Sequence, residues 1–195
     1  MFISIDLKKN KKRLIIAFLL ISFIACAVVG VIGVRRFFPV RYSDVIEIYA
    51  DKHGLPKELI YAIIRAESSF NRYAVSHRGA SGLMQIMEQT ANWAAEQIGI
   101  ADYDFERIFE PEINIQIGTW YINRLIGQFG GNLDTALAAY NAGSGNVSSW
   151  LREQNSDDFT LEHIPFPETR NYVQRVRTYQ QIYRILLRFH YIFGV

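Results

Sequence analysis

The chain has a single cysteine, Cys26, among 195 residues. One thiol cannot form an intrachain disulfide framework or a thiolate metal site, so any folded domain here depends on its packed core. Histidine is almost as scarce. His53, His77, His163 and His190 have no close ligand spacing, which leaves them as surface or core residues and gives no reason to expect a metal. Internal repeats and low-complexity tracts are also missing, which excludes a repeat architecture.

Charge is absent from residues 14–34, "LIIAFLLISFIACAVVGVIGV". At ~1.5 Å per residue that run is long enough to cross ~30 Å of hydrocarbon as a helix. Lys8, Lys9, Lys11, Lys12 and Arg13 precede it, and Arg35, Arg36 and Arg41 follow. This bias predicts an N-terminus inside and the remainder outside. A cleaved signal peptide would have a shorter apolar region ending in small residues. "FIAC" is only a loose lipobox, because Phe23 fits poorly and the residues after Cys26 stay apolar. The expected organisation is therefore a basic cytoplasmic segment (1–13), a transmembrane anchor (14–34), a linker (35–40) and an extracytoplasmic domain (41–195), placing the protein in the cell membrane as a single-pass form.

The overall formal charge of +2 hides an asymmetry. Residues 1–40 hold seven basic and one acidic side chain, net +6, whereas 41–195 hold 14 basic and 18 acidic, net −4. A mildly negative outer domain is a poor binder of nucleic acid, and the basic cluster belongs to the membrane end.

From residue 41 onward apolar spacing is helical almost throughout. The pattern predicts helices at about 43–53 (Ser43 as cap, Gly54 as stop), from Pro56 through Glu67, 88–98, 111–129, 132–142 and 169–190. Between them, residues 71–85 are rich in Gly and Ser and read as loops with a short hairpin, and 152–164 is a polar stretch. The fold class is mainly α.

One helix contains an anomaly. In "LIYAIIRAESSF", Ile60, Ile63 and Ile64 precede Glu67 by seven, four and three residues, placing a carboxyl on an isoleucine stripe. A buried carboxylate raises its pKa, pairs with a cation, or serves a site that uses it. Arg65 faces elsewhere on the helix, whereas Arg72 or Arg78 could fold back to pair with it; spacing alone leaves these alternatives open.

Three segments occur in order: "ESSFNRYAVSHRGASGLMQIM" (67–87), "AYNAG" (139–143) and "PETRNYV" (167–173). Together they resemble the successive motifs of the soluble lytic transglycosylase catalytic domain, a fold similar to goose-type lysozyme, over about residues 41–190. The resemblance implies that Glu67 is the catalytic acid and base. It places Ser76 near the reacting sugar, Gln85 and Met87 in the glycan cleft, Tyr140 and Asn141 beside Glu67, and Glu168 on an N-acetylated sugar with Tyr172 nearby. Each has a plainer reading beside it: Ser76 closing a turn, Gln85 a surface amide, Met87 and Tyr140 core filling, and Glu168 favouring a helix N-terminus.

The implied substrate is the peptidoglycan strand, cut between MurNAc and GlcNAc. Ordinary glycosidases set two carboxyl groups across the bond; apart from Glu67, these motifs hold only Glu168, which the resemblance assigns to binding. A single carboxyl suits proton donation to the leaving oxygen, followed by attack of the muramic C6 hydroxyl on C1, giving a 1,6-anhydro end without a cofactor. A lysozyme-like hydrolase on the same fold and an inactive glycan-binding module are the alternatives. A wall-spanning, divisome or sporulation assembly is left open as a partner. Two positions depart from the pattern: Glu88 and Ser144 stand where family members often have proline, and Glu88 adds a carboxylate near the cleft.

Overall fold

The computed structural model describes residues 7–154, 162 and 164–193. It divides into two compact units, Met1–Val40 and Arg41–Val195. In the first, helix α1 (Leu7–Phe37) runs without a break through the apolar segment and ends with Arg35 and Arg36 in its last turn. Its 25-residue apolar stretch, Arg13–Phe37, leaves its side chains uncovered by protein.

In the second unit the helices are α2 (Ser43–Lys52), α3 (Lys57–Glu67), α4 (Glu88–Ile98), α5 (Pro111–Gln128), α6 (Leu133–Ala142), α7 (Ser144–Gln154) and α8 (Pro167–Phe193), with a 3-10 turn at Phe105–Phe109. Their ends follow local chemistry. Pro56 stands immediately before α3 in extended conformation, and Gly99 closes α4 at φ 77°, where a side chain would be strained. Asn132 caps α6 by accepting from the Thr135 amide at 3.0 Å. Ser43 is not the cap of α2: that position is Tyr42, in the left-handed region at φ 58°, and Ser43 is the first helical residue, its hydroxyl turned to Asp44.

Two expectations change. The hairpin expected within 71–85 is reduced to two isolated antiparallel bridges, Val75 to Ser81 and Ser81 to Ile86. Helix α7 has no counterpart in the sequence reading, which ends the preceding helix at 142 and assigns no element before the polar stretch 152–164. What forms it is tertiary: Val147 and Trp150, three residues apart on one face, are buried, and Phe166 meets the Trp150 ring edge-on at 5.3 Å. Residues 155–161 and 163 of the polar stretch, with His163, lie outside the described residues.

The core is centred on α3. Leu59, Ile60, Tyr61, Ala62, Ile63 and Ile64 are all buried. The helix packs chiefly against α8, where Tyr61 stacks on Tyr183 at 5.1 Å and Tyr172, Val176 and Tyr183 form the buried stripe. Burying each such side chain contributes roughly 1.5–3 kcal/mol, so the segment that ends in Glu67 is among the most firmly held parts of the unit. Helix α5 packs against α2, α4 and α6, and α6 in turn against α7 and α8.

Candidate active site

Glu67 is the final residue of α3, one turn beyond the buried Ile63 and Ile64. The residue as a whole is only partly covered, yet its carboxyl lies where protein displaces most water. Burial pushes its pKa up to about 7, opposed by the Tyr172 hydroxyl and then by the charge of Arg175. Among the described residues it forms no ion pair within 4.0 Å. Neither arginine that could fold back from the loop pairs with it: among the described residues Arg72 and Arg78 are in no ion pair, and Arg72 lies over the Tyr73 ring at 4.7 Å, while Arg65, facing elsewhere, bonds Ser69 and lies over the Tyr179 ring.

Two tyrosines face this carboxyl. Tyr172 and Tyr140 are held well above the ordinary phenol range, first by burial and then by Glu67; Tyr140 adds to the shift of Tyr172, and Tyr121 to that of Tyr140. The Tyr140 hydroxyl donates to the Met84 carbonyl at 2.8 Å. The Tyr172 hydroxyl is buried without a partner at full hydrogen-bond geometry, although it couples to Glu67. It is thus a donor next to the carboxyl that is not committed elsewhere. Arg175, one turn beyond Tyr172 on α8, stacks over the Tyr172 ring at 5.7 Å.

The segment 68–87 is fastened against this cluster from three sides. Ser68 donates to the Leu83 carbonyl at 2.7 Å. Asn114, buried in α5, accepts from the Met84 amide at 2.7 Å and donates to the carbonyls of Ser81 at 3.1 Å and Ile108 at 2.9 Å. Tyr140 supplies the third tie. Gly82, at φ 80°, is required there: a Cβ would run into Asn114 and come within 2.8 Å of the Ile108 carbonyl. Two consecutive residues, Ser69 and Phe70, two and three positions after Glu67, also hold left-handed conformations (φ 52° and 66°). Strain of this kind, of order 1–3 kcal/mol per residue, persists only where surrounding packing enforces it.

The remaining candidates occupy different situations. The Ser76 hydroxyl accepts from the Ala80 amide at 3.0 Å and closes the turn. Gln85, left-handed at φ 49°, gives its amide hydrogens to Ala74 and Gly82, both at 3.0 Å, leaving its side-chain oxygen for another partner. Met87 is exposed just before α4, and Glu168 is exposed in the first turn of α8. Asn141 accepts from Thr169 at 2.9 Å, linking α6 to α8. No hydrogen bond among the described residues joins Ser76, Met87 or Glu168 to Glu67. Glu88 belongs to a separate cleft with Asn92, Glu96 and Tyr103, and its charge acts on Tyr103 rather than on Glu67.

Sequence reasoning missed Asn114 and Arg175. A signal existed for each: an asparagine inside the apolar run "INIQI", and an arginine three residues beyond Tyr172. Among the described residues, no three His, Cys, Asp or Glu side chains converge to hold a metal ion.

The chain is similar to known proteins in sequence and fold. Residues 44–162 match the family model described as "Transglycosylase SLT domain", and 163–188 match "Soluble lytic transglycosylase helical domain". The soluble lytic murein transglycosylase of Escherichia coli K12 is 40% identical over 154 residues, covering 77% of this chain and 24% of that protein. Its Salmonella typhimurium counterpart is 42% identical over 151 residues, covering 75% and 23%. Among solved structures, an inactive Glu→Gln mutant of lytic transglycosylase Slt from Pseudomonas aeruginosa superimposes with a TM-score of 0.73 at 37% identity, over 80% of this chain and 26% of that one. A 70-kDa soluble lytic transglycosylase in complex with bulgecin A gives 0.73 at 40% identity, over 77% and 25%. The chain thus spans about a quarter of the length of these relatives. With a family match covering 44–162, more than half of its residues, this chain belongs to the transglycosylase SLT domain family.

Proposed function

We propose that this protein is a membrane-anchored peptidoglycan lytic transglycosylase that cleaves the MurNAc–GlcNAc β-1,4 bond without water and leaves 1,6-anhydromuramic acid ends. The observation that carries the reading is the state of Glu67: a desolvated carboxyl with a pKa of about 7, flanked by tyrosine hydroxyls, and with no other described carboxylate acting on it. A group titrating near neutral pH holds its proton long enough to donate it and is basic enough to take one back.

In the first step Glu67 protonates the glycosidic oxygen as the bond to C1 breaks. The substrate's own N-acetyl group shields C1, which removes the need for a protein nucleophile. Glu67, now ionised, accepts the proton of the C6 hydroxyl as that oxygen closes on C1, and returns to its starting state. The nucleophile belongs to the reacting sugar, so its effective concentration far exceeds that of a diffusing molecule. Tyr172 supplies hydrogen-bonding stabilisation to Glu67 when it is ionised, and Arg175 steadies the same charge from α8. Gln85 and Met87 lie at the edge of the glycan path, where an amide oxygen and a thioether can meet polar and apolar faces of a sugar; Ser76, Asn141 and Glu168 complete the proposed contacts.

The curated relatives are murein transglycosylases, which supports peptidoglycan as the substrate. The uncharged segment 14–34, within α1, serves as the anchor, with residues 1–13 cytoplasmic and the unit from Arg41 outside. Digestion of purified peptidoglycan in water enriched in heavy oxygen tests the chemistry. The expected fragments are lighter than hydrolysed ends by one water and carry no label. Label at most new ends would make the enzyme a hydrolase.

A further inference from the structure

Helix α8 is longer than the core it packs against. Among the described residues its last buried side chain is Tyr183, which closes the stripe begun by Tyr172, Val173, Val176 and Gln180, yet the helix continues to Phe193. The segment beyond, 184–193, reads "RILLRFHYIF". Ile185 keeps 58% of its surface exposed, and Leu186 and Leu187 are only partly covered. Three consecutive apolar positions span about 200° of a helix, so they cannot share one core-facing stripe. A helix end that is apolar on several sides and lies past the core calls for a medium other than water.

Charge is segregated onto the same helix. After Glu168 the chain carries five arginines, Arg170, Arg175, Arg177, Arg184 and Arg188, and no aspartate or glutamate, so residues 169–195 are +5. Residues 41–168 hold nine basic and 18 acidic side chains, net −9. Arg177 and Arg184 are tied to Asp134 and Glu58, and Arg188 is exposed one turn beyond Arg184. Arginine interleaved with Ile, Leu, Phe and Tyr is the composition of a membrane–water interface, where apolar side chains enter the acyl boundary and guanidinium groups stay with the lipid phosphates. A soluble polyanion would match the arginines alone. It would leave Ile185 in water.

The place of this segment in the fold gives such a contact a use. Helix α8 runs antiparallel to α3: Tyr172 near its start acts on Glu67 at the end of α3, whereas Arg184 reaches Glu58 at the start of α3 at 3.4 Å. Glu67 and the projecting segment therefore lie towards opposite ends of α8, and the rise from Tyr172 to Ile185 is ~20 Å. We infer that residues 184–193 form a second membrane contact, a helix end that rests on anionic phospholipid, with Arg188 at the phosphates and Ile185 and Leu186 in the acyl boundary. The bilayer then supports the catalytic unit from the end remote from Glu67, and the carboxyl is held clear of lipid. The inference rests on the membrane-anchored reading and adds orientation to attachment: α1 keeps the unit at the membrane, and the end of α8 fixes which way it faces.

Depth-dependent fluorescence quenching on the full chain in vesicles tests it. Cys26 is the single cysteine, so a fluorophore on it reports insertion of α1. In a Cys26→Ser background the same fluorophore, carried by Ile185→Cys or by Asn171→Cys, reports the two ends of α8; Asn171 is exposed beside Tyr172. The quencher is a nitroxide-labelled phospholipid, in phosphatidylcholine vesicles with or without phosphatidylglycerol. Cys26 is expected to be quenched in both vesicles, position 185 chiefly in those with phosphatidylglycerol, and position 171 in neither. Arg188→Gln should weaken the contact at 185 ~5-fold, the effect of one arginine at an anionic surface. Changing the lipid alters the surface and leaves the protein as it is, so a folding defect in the variant cannot imitate the result. Absence of quenching at 185 overturns the contact whatever Cys26 shows, while Cys26 decides the anchor separately. Equal quenching at 185 and 171, equal quenching at 185 in the two lipids, or a signal at 185 that follows protein density instead of quencher also overturns it, the last identifying a second copy as the occupant.

Discussion

Helices α1 and α3 draw on similar apolar residues and differ in what surrounds them. In α1, Leu14, Phe18 and Phe23 leave 70%, 69% and 74% of their surface uncovered, whereas Ile60, Ile63 and Ile64 of α3 leave none. Composition cannot separate them; arrangement does. The apolar run of α1 is unbroken and has no polar face to turn to water, which is the pattern that suits the anchor proposed for it. In α3 the charged Lys57, Glu58 and Arg65 break the run and define a face, so its isoleucines are covered by protein. Glu67 stands at the end of that protein-covered stripe, and a rigid, dry helix end is what raises its pKa. A carboxyl in α1 would have no such scaffold.

Glu67→Gln should break this contrast most sharply. Turnover on peptidoglycan is expected to fall ~10² to 10⁴-fold, as for loss of an essential proton-transfer group. The same variant should be more stable than the parent above pH 7. A carboxyl whose pKa is about 7 folded and 4.5 unfolded favours the folded state while protonated, and that advantage is lost as pH rises through the folded pKa. The gain in the variant should be about 1–3 kcal/mol above pH 7 and vanish below pH ~4.5. Thermal melts at the two extremes measure it, and equal differences at both would contradict the assigned burial.

Core truncation separates the helices directly. Ile63→Ala should destabilise the unit beginning at Arg41 by about 2–5 kcal/mol, the usual cost of an unfilled core site. Ile24→Ala in α1 should leave its melting temperature unchanged, while Ile24→Arg should weaken membrane retention by about 2.5–3.5 kcal/mol. Chemical denaturation and membrane fractionation read these effects; a shared response of both units to Ile24→Ala would overturn their energetic separation.

Asn114→Ala removes an amide that ties the 81–84 backbone to α5. A loss of about 1–3 kcal/mol is expected from the buried groups left unpaired. Activity should drop further than stability alone explains, since Met84 also accepts from Tyr140. Full activity in a variant so destabilised would show that the loop does not position the site.

The smallest effect belongs to Arg175→Gln. Its charge lowers the Glu67 pKa, so removing it should move the alkaline limb of the pH–rate profile upward. An unmoved limb, or one moved downward, would exclude Arg175 from tuning Glu67.

Much of this was legible in the chain. The isoleucine stripe with Glu67 at its end, the limits of α4 at Gly99 and of α6 at Asn132 and Gly143, and the ordered motifs are local patterns, and local sterics and capping settle them. Helix α7 was not legible, because Gly145 and its polar neighbours argue against a helix until Val147 and Trp150 find a core to enter. Nor could spacing decide between the roles of Gln85: its amide hydrogens are taken by Ala74 and Gly82 only because the backbone turns left-handed at that residue.

By itself, then, the sequence determined the helical segments other than α7, which run is free of charge and which carboxyl shares a face with isoleucines, since each depends on residues within a turn or two of one another. Only the tertiary structure decided that Tyr140 and Tyr172 meet at Glu67, that Asn114 holds the loop, that Arg175 rather than Arg72 or Arg78 acts on the carboxyl, and that Arg124 lies across two indoles. The pKa of Glu67 depends on how much water those distant residues displace together, a sum over space that no local spacing contains.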